Sequence, residues 1–227
     1  MIRIEEKKLD EKHLTSLEYY EFVRNLDFHR SLAAICIETL FFINNKELDL
    51  QNLFNVAQIE PFDFWKMINS FVKFDKKMPV SLKEHFYIIE KMIIFGYAWK
   101  SGSTLDKLIK SFEEKSKNET SQGSKEGGIL SQNSRCLIKT EIFLNRSEEV
   151  FFKKVIYYTA SQILDICEQL NLTEAITENV WQTLTYILSN ETRLLINRNI
   201  NHLIICSVYV NCKNDRIKLS FDDLLQK

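Results

Sequence analysis

The stretch of sequence that decides the fold is NRNINHLIICSVYVNCK, residues 197–213. Its apolar centre, LIICSVYV at residues 203–210, is rich in β-branched side chains, and a run of this length fits a buried strand as well as a buried helix. The segments that precede it repeat their apolar residues with the period of a helix, so they favour a helix here too. We therefore expect an all-α fold.

The composition of the 227-residue chain agrees with this expectation. Hydrophobic residues make up 45% of the sequence and aromatic residues 12%, which is enough for a packed core. Only five glycines and two prolines occur, which disfavours a turn-rich β fold. The formal net charge of -1 argues against direct binding to nucleic acid or to anionic membranes. With no apolar signal segment at the N-terminus, we expect a soluble intracellular protein.

Apolar residues at three- and four-residue spacing predict several amphipathic helices. The predicted helices span residues 14–26, 28–43, 62–74, 82–97 and 105–112 in the first half of the chain, and 152–170 and 180–195 in the second. In the 28–43 helix, Ile35, Cys36, Leu40 and Ile43 are assigned to one apolar face. Pro61 suits the first turn of the 62–74 helix.

A polar segment divides the chain. Residues 113–128 read EEKSKNETSQGSKEGG and contain three of the five glycines, which is typical of a linker. The predicted organisation is a first helical lobe at residues 1–112, a linker at 113–149 and a second helical lobe at 150–227.

No sequence motif for nucleotide, cofactor, hydrolase or metal chemistry is found, so we expect a non-enzymatic protein without a cofactor or metal. His202 lies one helical turn before Cys206, but a metal site there lacks further ligands. We interpret this pair, and likewise His29 with Cys36, as packing residues. The five cysteines contain no CxxC pair and are interpreted as free thiols.

Several strings resemble the retinoblastoma-family pocket. FHRSLAA (28–34), PFDFWKMINSFVK (61–73), AW (98–99) and DKLI (106–109) are similar in order and spacing to its A half. FKKV (152–155), WQTL (181–184) and the 197–213 string are similar to its B half, and the last is the most specific match. The resemblance implies two cyclin-like helical repeats packed side by side, the second truncated, with residues 203–210 in a helix.

The resemblance also implies a function, that of a nuclear transcriptional repressor scaffold. Its partner would be the acidic transactivation segment of heterodimeric cell-cycle transcription factors, bound where the two lobes meet. The positions matching that site are Lys66, Lys73, His85, Glu90, Lys153 and Lys154. Other charged residues of the family are replaced here by Asn69, Glu84, Tyr87, Tyr157 and Gln162.

A second family site receives LxCxE peptides of chromatin repressors, and Cys206, Tyr209 and Lys213 match part of it. A helix over residues 199–213 places these three with His202 in one stripe. A Tyr-Asn pair of the family groove has no counterpart, so we expect a partial groove. The alternatives are a cyclin or TFIIB-like helical adaptor for a kinase or basal transcription partner, which would not be expected to keep residues 199–213, and a cryptic hydrolase or transferase.

Overall fold

The structure is a computed structural model and describes residues 24–111, 114 and 146–222. Within these residues every regular element is an α-helix or a short 3-10 turn, so the predicted all-α class is confirmed. The ambiguous run at 203–210 is helical. The chain divides into two compact units, residues 1–93 and 94–227.

The first unit contains the helices α1 (Leu26–Ile43), α2 (Leu50–Ala57), α3 (Pro61–Phe74) and α4 (Val80–Phe95), the last of which runs on into the second unit. Asn25 caps α1, where its side chain accepts a hydrogen bond from the Phe28 N–H at 3.0 Å. Helix α3 begins with Pro61, as the sequence predicts. Helix α2 was not predicted, although Asp49 caps it. The predicted 14–26 helix lies almost wholly outside the described residues.

The buried side of α1 differs from the prediction. Leu40 is 59% exposed and Ile43 64% exposed, whereas Ile35 is fully buried. Glu38, the only charged residue between positions 31 and 45, is only 3% exposed. Because α1 carries apolar side chains all round, their spacing alone could not identify the face that packs against α3.

The second unit contains the helices α5 (Arg146–Gln169), α6 (Glu174–Asn190) and α7 (Ile200–Asn214), with helical backbone also at 104–111 and 3-10 turns at Tyr97–Trp99 and Thr192–Leu195. Helix α7 packs on α5 and α6. Its buried side carries Ile204 and Val208, which are both fully buried.

Trp99 lies in the core of the second unit and is fully buried. Its indole Nε1 donates a hydrogen bond to the Ile94 carbonyl oxygen at 2.5 Å, and its ring centroid lies 5.8 Å from that of Phe151. The backbone N–H of Asn197, a residue with φ of 58°, donates to the Trp99 carbonyl oxygen at 2.7 Å. The predicted linker lies almost wholly outside the described residues, so the predicted lobe boundaries stay a prediction.

Candidate functional site

Lys66 and Lys73, two positions of the predicted transcription-factor site, lie on α3 of the first unit. Lys73 is exposed near the end of α3 and has no ion-pair partner among the described residues. The Lys66 side chain is 38% exposed, and its Nζ lies 2.7 Å from Asp63 Oδ1. That Nζ also lies 4.5 Å from the centre of the Phe62 ring. On α3, Lys73 is therefore exposed, and Lys66 is held by an ion pair within its own helix.

His85 on α4 is fixed from two sides by α1. Its Nε2 lies 2.8 Å from Oε1 of Glu38, and the imidazole stacks on the Phe42 ring with centroids 4.3 Å apart and planes 23° apart. The His85 side chain is 22% exposed and that of Glu38 is 5% exposed. The ring therefore has a defined orientation and keeps part of its edge at the surface.

Glu90, also on α4, faces the interior and is 6% exposed. Its Oε1 accepts hydrogen bonds from Trp65 Nε1 at 2.8 Å and from Asn69 Nδ2 at 3.3 Å. Asn69 also donates to the Trp65 carbonyl oxygen at 3.1 Å. The Asn69 amide and the Trp65 indole thus both donate to the buried Glu90 carboxylate and satisfy its Oε1.

Lys153 and Lys154 lie on α5 of the second unit. The Lys153 side chain is 67% exposed and forms an ion pair with Glu149, one turn earlier on the same helix. Lys154 is half-buried. Tyr157, one turn after Lys153, is 66% exposed. This surface of α5 therefore combines two cations with a solvent-exposed aromatic ring.

The stripe predicted on α7 has the expected exposure. His202, Cys206 and Lys213 are exposed and Tyr209 is half-buried, on the side of the helix opposite Ile204 and Val208. Lys213 Nζ lies 5.3 Å from the centre of the Tyr209 ring. The ring of Phe221 meets Tyr209 edge-on with centroids 5.6 Å apart. The Tyr209 ring thus contacts both a cation and a second aromatic ring.

The interpretation of the histidine and cysteine pairs as packing residues is wrong for three of the four residues, whereas His29 is half-buried and its ring contacts that of Phe28. Cys36, His202 and Cys206 point outward, because the buried sides of α1 and α7 are formed by other residues. Cys167 and Cys212 are buried, and burial raises the pKa of both thiols. The described part of the chain contains no group of three or more potential metal ligands and no helix able to cross a membrane.

Sequence reasoning missed the interior partners of the site residues. Glu38 orients His85, and Trp65 with Asn69 engages Glu90. A signal for Glu38 was present, because an acid inside the apolar run LAAICIETLFFI (32–43) is unusual for an ordinary core helix. Its partner is 47 positions away in sequence, and spacing rules do not reach that far.

Two protein-family models match the chain, one in each half. The family model of the retinoblastoma-associated protein A domain matches residues 1–109, and that of the B domain matches residues 147–227. The retinoblastoma-like protein A of Dictyostelium discoideum is 25% identical over 98% of this chain and 19% of its own length. The retinoblastoma-like protein homolog lin-35 of Caenorhabditis elegans is 20% identical over 96% of this chain and 24% of its own length.

The retinoblastoma-related protein 3 of Zea mays is 23% identical over 99% of the chain and 29% of its own length. The chain therefore spans between about a fifth and a third of these relatives, and the matched part contains both halves of the pocket. By these two domain matches in their proper order, the chain belongs to the retinoblastoma pocket-protein family.

Proposed function

We propose that this chain is a nuclear transcriptional repressor scaffold that binds the acidic transactivation segment of a heterodimeric cell-cycle transcription factor. Proteins of the family regulate transcription and bind transcription factors as partners, without catalysis. The proposed contacts are Lys66, Lys73 and His85 of the first unit and Lys153 and Lys154 of the second. Glu90 is proposed to contribute indirectly, by holding the Trp65 and Asn69 side chains through hydrogen bonds. The matched relatives are retinoblastoma proteins, which favours this function over a cyclin or TFIIB-like adaptor.

The observation that carries the proposal is that the lysines are at least partly exposed and pair only weakly with neighbouring groups. Lys73 is exposed, Lys66 contacts a carboxylate and an aromatic ring of its own helix, and Lys153 is exposed beside Glu149. A partner rich in carboxylates can take over such local ion pairs at little cost, since exposed pairs of this kind contribute only about 0.2–1 kcal/mol. Exposed cations also speed the encounter with an acidic segment.

Charge reversal on α5 tests the proposal. A fluorescein-labelled peptide carrying the acidic transactivation segment of the transcription factor from the source organism is titrated by fluorescence polarisation. We expect Lys153→Glu with Lys154→Glu to raise Kd roughly tenfold at low salt, since two weak attractions become repulsions. The effect should shrink at high salt because partly exposed charges are screened.

The matched control is Lys76→Glu with Lys77→Glu, which makes the same change in net charge at two adjacent exposed lysines outside the proposed set. We expect this variant to bind nearly as the wild type does. An unchanged Kd in the Lys153/Lys154 variant removes α5 from the site. Equal losses in both variants would leave only a general effect of net charge.

A second proposed function is the binding of LxCxE peptides on α7. The stripe of exposed Cys206 and Lys213 with half-buried Tyr209 favours it, because Tyr209 presents an aromatic surface beside a cation. The test titrates one LxCxE peptide against the same peptide with its cysteine changed to alanine. Equal affinities for the two peptides would remove this function.

A further inference from the structure

We propose that Glu38 is a positioning residue of the transcription-factor site, which holds the His85 imidazole by Nε2 and leaves Nδ1 as the ring nitrogen that hydrogen-bonds to the bound segment. The inference rests on the proposed function and assigns a role to a residue that the family resemblance did not include. It also specifies which atom of His85 meets the partner.

The geometry of the first unit supports this assignment. Glu38 Oε1 lies 2.8 Å from His85 Nε2, a normal distance for a charge-assisted hydrogen bond. The nearly parallel Phe42 ring supports the imidazole from α1 at 4.3 Å. The hydrogen bond and the stacking together fix both the plane of the ring and its rotation, so His85 does not choose freely between its two edges.

The burial of Glu38 is hard to explain by stability alone. Glu38 is 3% exposed, and its Oε2 has no hydrogen-bond partner among the residues that the structure describes. A buried carboxylate with one open oxygen costs free energy, and an apolar side chain of similar size at such a position is often equally or more stabilising. The contact that Glu38 does make is with His85, which is the partly exposed member of the pair.

The consequence for binding follows from the two ring nitrogens of histidine. With Nε2–H donating to the carboxylate, Nδ1 of the singly protonated ring remains as an acceptor for a backbone N–H of the bound segment, and it has no hydrogen bond within the described part of the chain. A carboxylate that is hydrogen-bonded to one ring nitrogen of a histidine fixes the tautomer and the orientation of the ring. Without Glu38, the imidazole could turn or change its tautomer, and the bound segment would meet a less ordered group.

The first test reads the imidazole directly and needs no partner. Two-bond proton–nitrogen correlation spectra of the uniformly ¹⁵N-labelled chain report which nitrogen is protonated, and the His85 signals are assigned by their loss in His85→Gln. We expect a proton on Nε2 in the wild type and in Glu38→Gln, whose amide oxygen can still accept, and mixed tautomers in Glu38→Ala. The assignment is overturned if the singly protonated wild-type ring carries its proton on Nδ1. It is also overturned if Glu38→Ala leaves the pattern of signals unchanged.

The second test measures the affinity for the fluorescein-labelled acidic peptide. We expect Glu38→Ala to raise Kd about fivefold, the affinity equivalent of one ordinary hydrogen bond, and Glu38→Gln to restore most of the loss. In a His85→Ala background, Glu38→Ala should have no further effect, because its role acts through the ring. An equal loss in both backgrounds would show a general structural role and overturn the inference.

Ser31→Ala is the matched control, since Ser31 lies on the same buried face of α1 and its Oγ also has no partner among the described residues. It should change neither the spectra nor Kd, and a change as large as that of Glu38→Ala would overturn the inference. Circular dichroism verifies that each variant is folded. If the spectra agree with expectation but the wild type does not bind the peptide, the proposed function fails and only the orientation of the His85 ring by Glu38 stands. If the peptide binds and Glu38 has no effect on Kd, this inference fails alone.

Discussion

Removal of the Trp99 side chain should destabilise the second unit more than almost any other single truncation. Trp99 is fully buried, and its ring centroid lies 5.8 and 6.3 Å from those of the tilted Phe151 and Phe152 rings. Its Nε1 donates a hydrogen bond to the Ile94 carbonyl oxygen. Trp99→Ala therefore leaves a large cavity and an unpaired carbonyl group at once.

The magnitude follows from these two losses. Truncating a buried tryptophan to alanine costs about 3–5 kcal/mol, including the cavity. The carbonyl oxygen that loses its donor adds about 1 kcal/mol. Because domains of this size are stable by only about 5–15 kcal/mol, the loss is a large share of the total. Trp99→Phe, which keeps a ring but not the N–H, should lose about half as much or less.

Urea unfolding followed by far-ultraviolet circular dichroism measures the change, because this signal does not depend on tryptophan emission. Amide hydrogen exchange in α7 then shows whether the loss is located in the second unit. The matched control is Trp181→Ala on α6, since Trp181 is only half-buried and should cost roughly 1–2 kcal/mol. A Trp99→Ala loss no larger than that of Trp181→Ala would refute the role assigned to Trp99.

Two further predictions concern titratable groups of the described residues. The hydrogen bonds from Lys110 and from the Gly102 N–H lower the pKa of Asp106, so its stabilising contribution is present at neutral pH and is lost as pH falls through the lowered value. Asp106→Asn should accordingly be less stable than the wild type at pH 7 in thermal unfolding, with the difference shrinking in acid; a constant difference would contradict this. The exposed thiols should react with a maleimide before the buried ones, whose pKa burial raises, and mass spectrometry of digests would show the reverse order if this reasoning is wrong.

The helices and the family could be predicted from the sequence because both depend on local information. A period of 3.6 residues predicts α3, α4, α5 and α6, and Pro61 marks the start of α3. Helix α6 spans Glu174–Asn190, however, and not the predicted 180–195. Residues 197–213 resemble a family string specific enough to turn an ambiguous apolar run into a helix, which the structure confirms as α7. Helix α2 was not predicted because its eight residues form only about two helical turns, too few for a clear apolar period.

Only the tertiary structure decided how the site residues are held. The burial of Glu38 beside His85 depends on which side of α1 faces inward, and an apolar pattern that runs around the whole helix cannot decide that. The same limit applies to Asn197, whose backbone N–H meets the Trp99 carbonyl oxygen far away in sequence. The sequence by itself therefore determined the all-α class and the family, through local spacing and specific strings. The partners of His85, Glu90 and Trp99 come from packing between distant segments, which local spacing does not encode.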